Sequence, residues 1–178
     1  SSVGTWMQRV AQGWLVLTLT GSPFWLGVDA FLGDAPFLAF SLFGGVLADR
    51  AERRRILLVS QLVQMACALL LMGLLLADRV PLGSILALSF LSGLAQAFGA
   101  PAFQALFPTL VPPEEVPKAI ALNSIQFNFA RVVGPAVAGL AFAQLGAAGC
   151  MGLNGLSFLA AAVALAAIPR RASAGSGG

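Results

Sequence analysis

The residues of this sequence able to do chemistry are few, and most sit where charge is expensive. Arg9, Asp29, Asp34 and Arg131 interrupt long apolar runs, and the chain has no histidine, which removes the commonest general base and the commonest neutral metal ligand. What remains is carboxylate and guanidinium chemistry, namely ion pairing and proton exchange, and ionisable groups inside apolar segments are functional candidates by default. Arg9 and Asp34 flank the turn signal Gly21-Ser22-Pro23 at nearly equal separations. At about 1.5 Å per residue each lies roughly 18–20 Å below Ser22, so the two are expected to face one another. Arg131 lies at a similar depth, roughly 22 Å below Gly146, and is the other candidate partner of Asp34. Asp29 is shallower and is expected to snorkel to the outer headgroups. The five-residue spacing of Asp29 and Asp34 is about 500° of helix, which leaves the carboxylates roughly 140° apart and unable to share a proton as a dyad.

Gln8, Gln12, Gln96, Asn123, Gln126 and Asn128 are candidates to line a polar cavity, with interhelical hydrogen bonds as the plainer alternative for each. Cys67 and Cys150 are too few and too separated for a disulfide framework or a metal site and read as buried apolar cysteines. Nothing calls for a cofactor.

The elements that must position these residues follow from composition. With 58% hydrophobic residues, 10% charged residues and a mean hydropathy of +0.89, the chain is expected to be an all-α, multi-pass membrane protein with the lipid bilayer as its first partner. The net charge of +3 comes from clusters beside apolar runs, which reads as membrane topology and not as a nucleic-acid surface. A spanning helix needs about 20 apolar residues, and that ruler predicts helices over about 1–20, 24–48, 56–77, 82–107, 119–143 and 149–168. Asp29, Asp34 and Pro36 interrupt the second, and Pro101 is expected to bend or break the fourth. Residues 108–118 read as a surface connector, Gly146-Ala147-Ala148-Gly149 as a turn, and residues 172–178 as a flexible tail after a domain over 1–171. The fourth helix carries Gly93, Ala95, Ala97, Gly99 and Ala100, a surface that lets another helix approach closely. No basic region precedes an apolar core at the start, so a signal peptide is not expected and the chain reads as entering its first helix part-way. Arg50, Arg53, Arg54, Arg55, Lys118, Arg170 and Arg171 fall on one side of a six-crossing arrangement, which puts that side in the cytoplasm.

The stretch Gly45-x-Leu47-Ala48-Asp49-Arg50-x-x-Arg53-Arg54-x-x-Leu57 resembles the loop 2/3 motif of major facilitator superfamily transporters, with Glu52 where that family usually has glycine. Three further segments are similar to the branch of the superfamily that includes the enterobactin exporter and the transmembrane secretion effectors: Gly4-Thr5-Trp6-Met7-Gln8-Arg9-Val10-Ala11-Gln12-Gly13-Trp14, Gln96-Ala97-Phe98-Gly99-Ala100-Pro101-Ala102, and Asn123 to Pro135. Gly134, Pro135 and Gly139 resemble the fifth-helix motif associated with antiporters, with Ala138 in place of one glycine. The arginine position of the fourth-helix motif holds Gly93.

The resemblance implies a six-transmembrane-helix bundle, the amino-terminal half of a major facilitator fold built from 3+3 inverted repeats, whose partner is a missing carboxy-terminal six-helix half. It implies proton-coupled export of a small organic solute, siderophore- or drug-like, by alternating access in a bacterial inner membrane. It assigns Gly45, Asp49, Arg50, Arg53 and Arg54 to a cytoplasmic gate. Gly45 would let the second helix press against the other half, and Asp49 would be compensated by Arg53, Arg54 or a helix start in that half. Lipid headgroups are the alternative contact for Arg50 and Arg54. A non-transporting structural or regulatory fragment is the alternative reading of the whole chain. An intramembrane aspartyl protease is disfavoured by the carboxylate spacing and by Phe31, which stands where that motif has its first glycine, so no enzyme is expected.

Overall fold

The computed structural model describes residues 2–167. It is all-helical, with α1 at Ser2–Thr20, α2 at Pro23–Arg50, α3 at Arg53–Leu76, α4 at Leu82–Leu106 and α5 at Val116–Ala167. Four stretches, Pro23–Arg50, Arg53–Leu76, Leu82–Leu110 and Pro113–Ala167, are long and apolar enough to cross a membrane. Ile168, Arg170, Arg171 and the tail 172–178 lie outside the described residues.

The turns have local causes. Gly21 takes a left-handed φ of 62° and donates its N–H to Leu17 O at 2.8 Å, and Pro23 then begins α2 at a position whose N–H has no helical partner anyway. At the end of α3, Asp78 stands at φ 50° while Arg79 N–H reaches Leu74 O and Asp78 N–H reaches Leu75 O. That is a Schellman closure with aspartate in the position glycine usually takes. In α5 only Gly146 leaves helical geometry (φ 66°, ψ −173°), which divides the helix into two limbs. The expected four-residue turn there is therefore tighter, with residues 147–149 already helical. The connector is also more ordered than expected, since Phe107–Leu110 and Pro113–Glu115 form 3₁₀ turns.

Pro36 and Pro101 do not break their helices: α2 and α4 continue through them. Proline is tolerated in apolar helices where neighbouring helices and local adjustments satisfy the carbonyls it frees.

The helices form a ring in which α2 packs on α4, α4 on α3, α3 on α5, and α5 on α1, with a lighter α1–α2 contact closing it. Small residues set these contacts. A Cβ on Gly93 of α4 would collide with the Gly33 carbonyl of α2, and one on Gly44 of α2 would collide with the Ala97 carbonyl of α4. Ser60 of α3 fits beside Gly99 of α4 and donates to Ala95 O at 2.7 Å. The small-residue surface of α4 is thus consumed within this chain. One core joins Met7, Val16, Leu71, Ile85, Ala138 and Met151, and a second joins Ala48, Leu57, Ala102, Leu106 and Leu165. Cys67 and Cys150 are free and buried. Large apolar side chains remain exposed on α2 and the first limb of α5, among them Leu38 at 79% and Val132 at 76%.

Candidate functional site

The ring surrounds two adjoining, half-open cavities of about 370 and 670 Å³, which share Thr5, Arg9, Gln64, Gln96 and Phe158 as walls. Gln8, Gln12, Asp29, Asp34 and Asn154 line the smaller one, and Asn123 and Gln126 the larger. Asn128 lines neither: it is exposed and donates to Ser124 O, one turn back on its own helix.

Arg9 of α1 pairs with Asp34 of α2 at 2.8 Å. The pair is half-exposed, so its electrostatic stabilisation is modest. Arg131 does not reach this carboxylate. Its guanidinium carbon lies 5.8 Å from the centre of the Trp6 ring, and that of Arg9 lies 5.5 Å from the same ring, so two cations lie over one aromatic ring.

Asp29 overturns the expectation that it snorkels outward. It is only 8% exposed and turns into the bundle, where Gln12 Nε2 donates to its two oxygens at 3.0 and 3.1 Å and Ser89 Oγ of α4 donates to Oδ1. From Gln12 the polar chain runs on: Gln8 donates to Gln12 at 3.4 Å, and Asn154 of α5 donates to Gln8 at 2.6 Å. Ser89 and Asn154 were not singled out by sequence, although depth held a signal. Asp29 lies roughly 10 Å and Gln12 roughly 15 Å from Ser22, and Ser89 lies roughly 10 Å into α4 from the same side. Because Asp29 and Asp34 have different partners, they form no dyad.

At the opposite end of the cavity helices, the arginines of α3 do something the sequence did not reveal. Arg53 donates to Ala48 O of α2 at 3.3 Å and to Ala105 O of α4 at 3.1 Å. Arg54 donates to Leu165 O at 3.0 Å and Ala166 O at 2.8 Å in the last turn of α5. The last carbonyls of a helix have no intrahelical partner and carry the negative end of its dipole, so two side chains close the C-terminal ends of three helices. Arg54 thus clamps the end of α5. Asp49 is nearly free of this lattice: it is 76% exposed, with Arg53 at 3.9 Å. Arg50 is exposed. Gly45 faces open space within this chain, and it is Gly44 that packs on α4. In α5, Gly134 is pressed against Trp6, Pro135 is exposed and leaves the helix intact, and Gly139 has nothing beside it.

Residues 1–176 match the protein family described as transmembrane secretion effector. The chain is 28% identical over 142 residues to the staphyloferrin A transporter of Staphylococcus aureus, covering 79% of this chain and 36% of that protein. It is 29% identical over 153 residues to macrolide efflux protein A of Streptococcus pyogenes (85% and 38%) and 30% identical over 156 residues to the enterobactin exporter EntS of Salmonella choleraesuis (85% and 37%). The chain thus spans less than two fifths of the length of these relatives. No solved structure matches it.

Proposed function

The chain belongs to the transmembrane secretion effector family of major facilitator transporters, a family of transporters and not of enzymes, and from that premise we propose that it is the amino-terminal half of a secondary exporter. On this reading α1, α2, α3, α4 and the two limbs of α5 are six crossings in two inverted repeats, and the exposed faces of α2 and of the first limb of α5 receive a second six-helix half. The substrate is a small organic solute of the siderophore or drug class, held between the halves in a bacterial inner membrane with the arginine loop in the cytoplasm. Export is driven by protons through alternating access. The gate comprises Gly45, Asp49, Arg50, Arg53 and Arg54.

The observation that carries the reading is a polar cavity inside an apolar ring, with the Arg9–Asp34 pair in its wall. Protonation of Asp34 would release Arg9, and such a change in pairing is what a proton-driven conformational cycle needs. The test is pH-gradient-driven efflux of a macrolide and of a catecholate siderophore from vesicles holding the full-length protein. Wild type is expected to export at least one of them, and Asp34→Asn to lose at least about 90% of the proton-driven rate, the tenfold fall that follows from about 1.4 kcal/mol of lost coupling. Undiminished proton-driven flux by a correctly inserted Asp34→Asn protein would remove Asp34 from the mechanism. Absence of flux in wild type for both solutes would favour a structural role.

A further inference from the structure

We propose that Asp29, together with Gln12 and Ser89, is a proton-binding site separate from the Arg9–Asp34 pair. The proposal deepens the exporter reading, which supplies a reason for a proton site, but the site itself stands on geometry.

The carboxylate of Asp29 is buried and is met only by neutral donors, Gln12 from α1 and Ser89 from α4. Among the described residues its only charged companions in the cavity wall are Arg9 on α1, which is hydrogen-bonded to Asp34, and Asp34 itself on α2. From α4 the wall presents Ser89, Ser92 and Gln96, from α3 Gln64, and from α5 Asn154, none of them ionisable. A charged carboxylate withdrawn from water without a counter-ion is disfavoured against its neutral form. Asp34, by contrast, is hydrogen-bonded to the Arg9 guanidinium.

Ser89 makes both protonation states of Asp29 satisfiable. Its hydroxyl has two acceptors in reach, Asp29 Oδ1 and the Ile85 carbonyl at 3.0 Å, and its oxygen accepts from Gln12 Nε2 at 2.6 Å. When Asp29 is ionised, Ser89 donates to the carboxylate. When a proton from the cavity binds a carboxylate oxygen, that new O–H donates to Ser89 Oγ, and the serine hydroxyl rotates to the Ile85 carbonyl. A serine oxygen takes two acceptor bonds and one donor bond, so the exchange leaves no polar group orphaned. Because Gln12 and Gln8 link the site to Asn154 on α5, the proton is felt across the bundle.

The test is infrared difference spectroscopy of the full-length protein in lipid, titrated between acid and alkaline pH. Among the carboxylic-acid C=O bands that titrate, one is expected in wild type and in Asp34→Asn that is missing from Asp29→Asn. Ser89→Ala, which removes the alternative acceptor, should shift the midpoint of that band by at least about one pH unit. Should Asp29→Asn fail to fold, the Ser89→Ala shift decides alone. Failure of Asp29→Asn to remove any titrating C=O band, or an Asp29-dependent band that Ser89→Ala leaves in place, overturns the proposal. The readout needs no solute, so an Asp29-dependent band without proton-driven flux would keep the site and discard the exporter reading.

Discussion

The two ends of the cavity helices solve the same electrostatic problem differently. Around the cavity, charged groups are answered by side chains: Asp34 by Arg9, and Asp29 by Gln12 and Ser89. At the arginine loop they are answered by the main chain, with Arg53 and Arg54 closing carbonyls of α2, α4 and α5. The reason is where free backbone groups exist. In mid-helix nearly every carbonyl is already bonded, so a charge there must find another side chain, whereas the last turn of a helix offers unbonded oxygens. Interior charges are therefore held by specific side chains, while loop charges tie helices together.

The largest expected effect breaks the interior and spares the loop. Gly93 sits where even a Cβ would overlap the Gly33 carbonyl, and a backbone atom cannot turn aside. Gly93→Leu should force α2 off α4, separate Ser89 from Asp29 and destabilise the full-length protein by about 3 kcal/mol, the upper range for overpacking. A fall in the thermal midpoint of purified protein is the measurement. An unchanged midpoint would mean that the α2–α4 contact does not hold the cavity wall.

Next comes the clamp. Arg54→Ala leaves two carbonyls at the end of α5 without their donor and should lower stability by about 2 kcal/mol, as for charge-assisted hydrogen bonds that are partly exposed. Arg54→Lys should recover less than half of that, because one ammonium cannot match a fork across two carbonyls. Full recovery with lysine would show that only the positive charge matters and that the main-chain geometry does not.

This contrast also explains what the sequence could say. Helices and turns are written in apolar runs and in residues such as Gly21, Pro23 and Gly146, whose backbone preferences are local. The Arg9–Asp34 contact follows from counting residues away from a turn, since both helices start at the same surface. Asp29 is different: its depth tells how far it lies from that surface but not which way it points, and its serine partner is 60 residues away. The arginine clamps left no trace at all, because every residue carries a carbonyl and none advertises that it is unbonded. That α4 continues through Pro101 was not legible for a related reason, since a proline's effect depends on neighbours that only packing reveals.

The smallest expected effect tests the loop from the other side. Asp49 is mostly exposed, and its single ionic neighbour, Arg53, stands at 3.9 Å in the helical i, i+4 relation. Such a pair contributes no more than about 0.5 kcal/mol, and Arg53 already has two carbonyl acceptors. Asp49→Ala should therefore leave the thermal midpoint of the purified protein within about 1 °C of wild type. A negative charge at the C-terminal end of α2 is nevertheless in an unfavourable place, because the helix dipole opposes it, and among the described residues only Arg53, at 3.9 Å, answers it. If its partner is a helix start in a second half, efflux by the full-length protein should fall at least about tenfold while stability stays put. A matching loss of stability and transport would instead place Asp49 among the clamps, and the division between charges that hold and charges that move would fail at this residue.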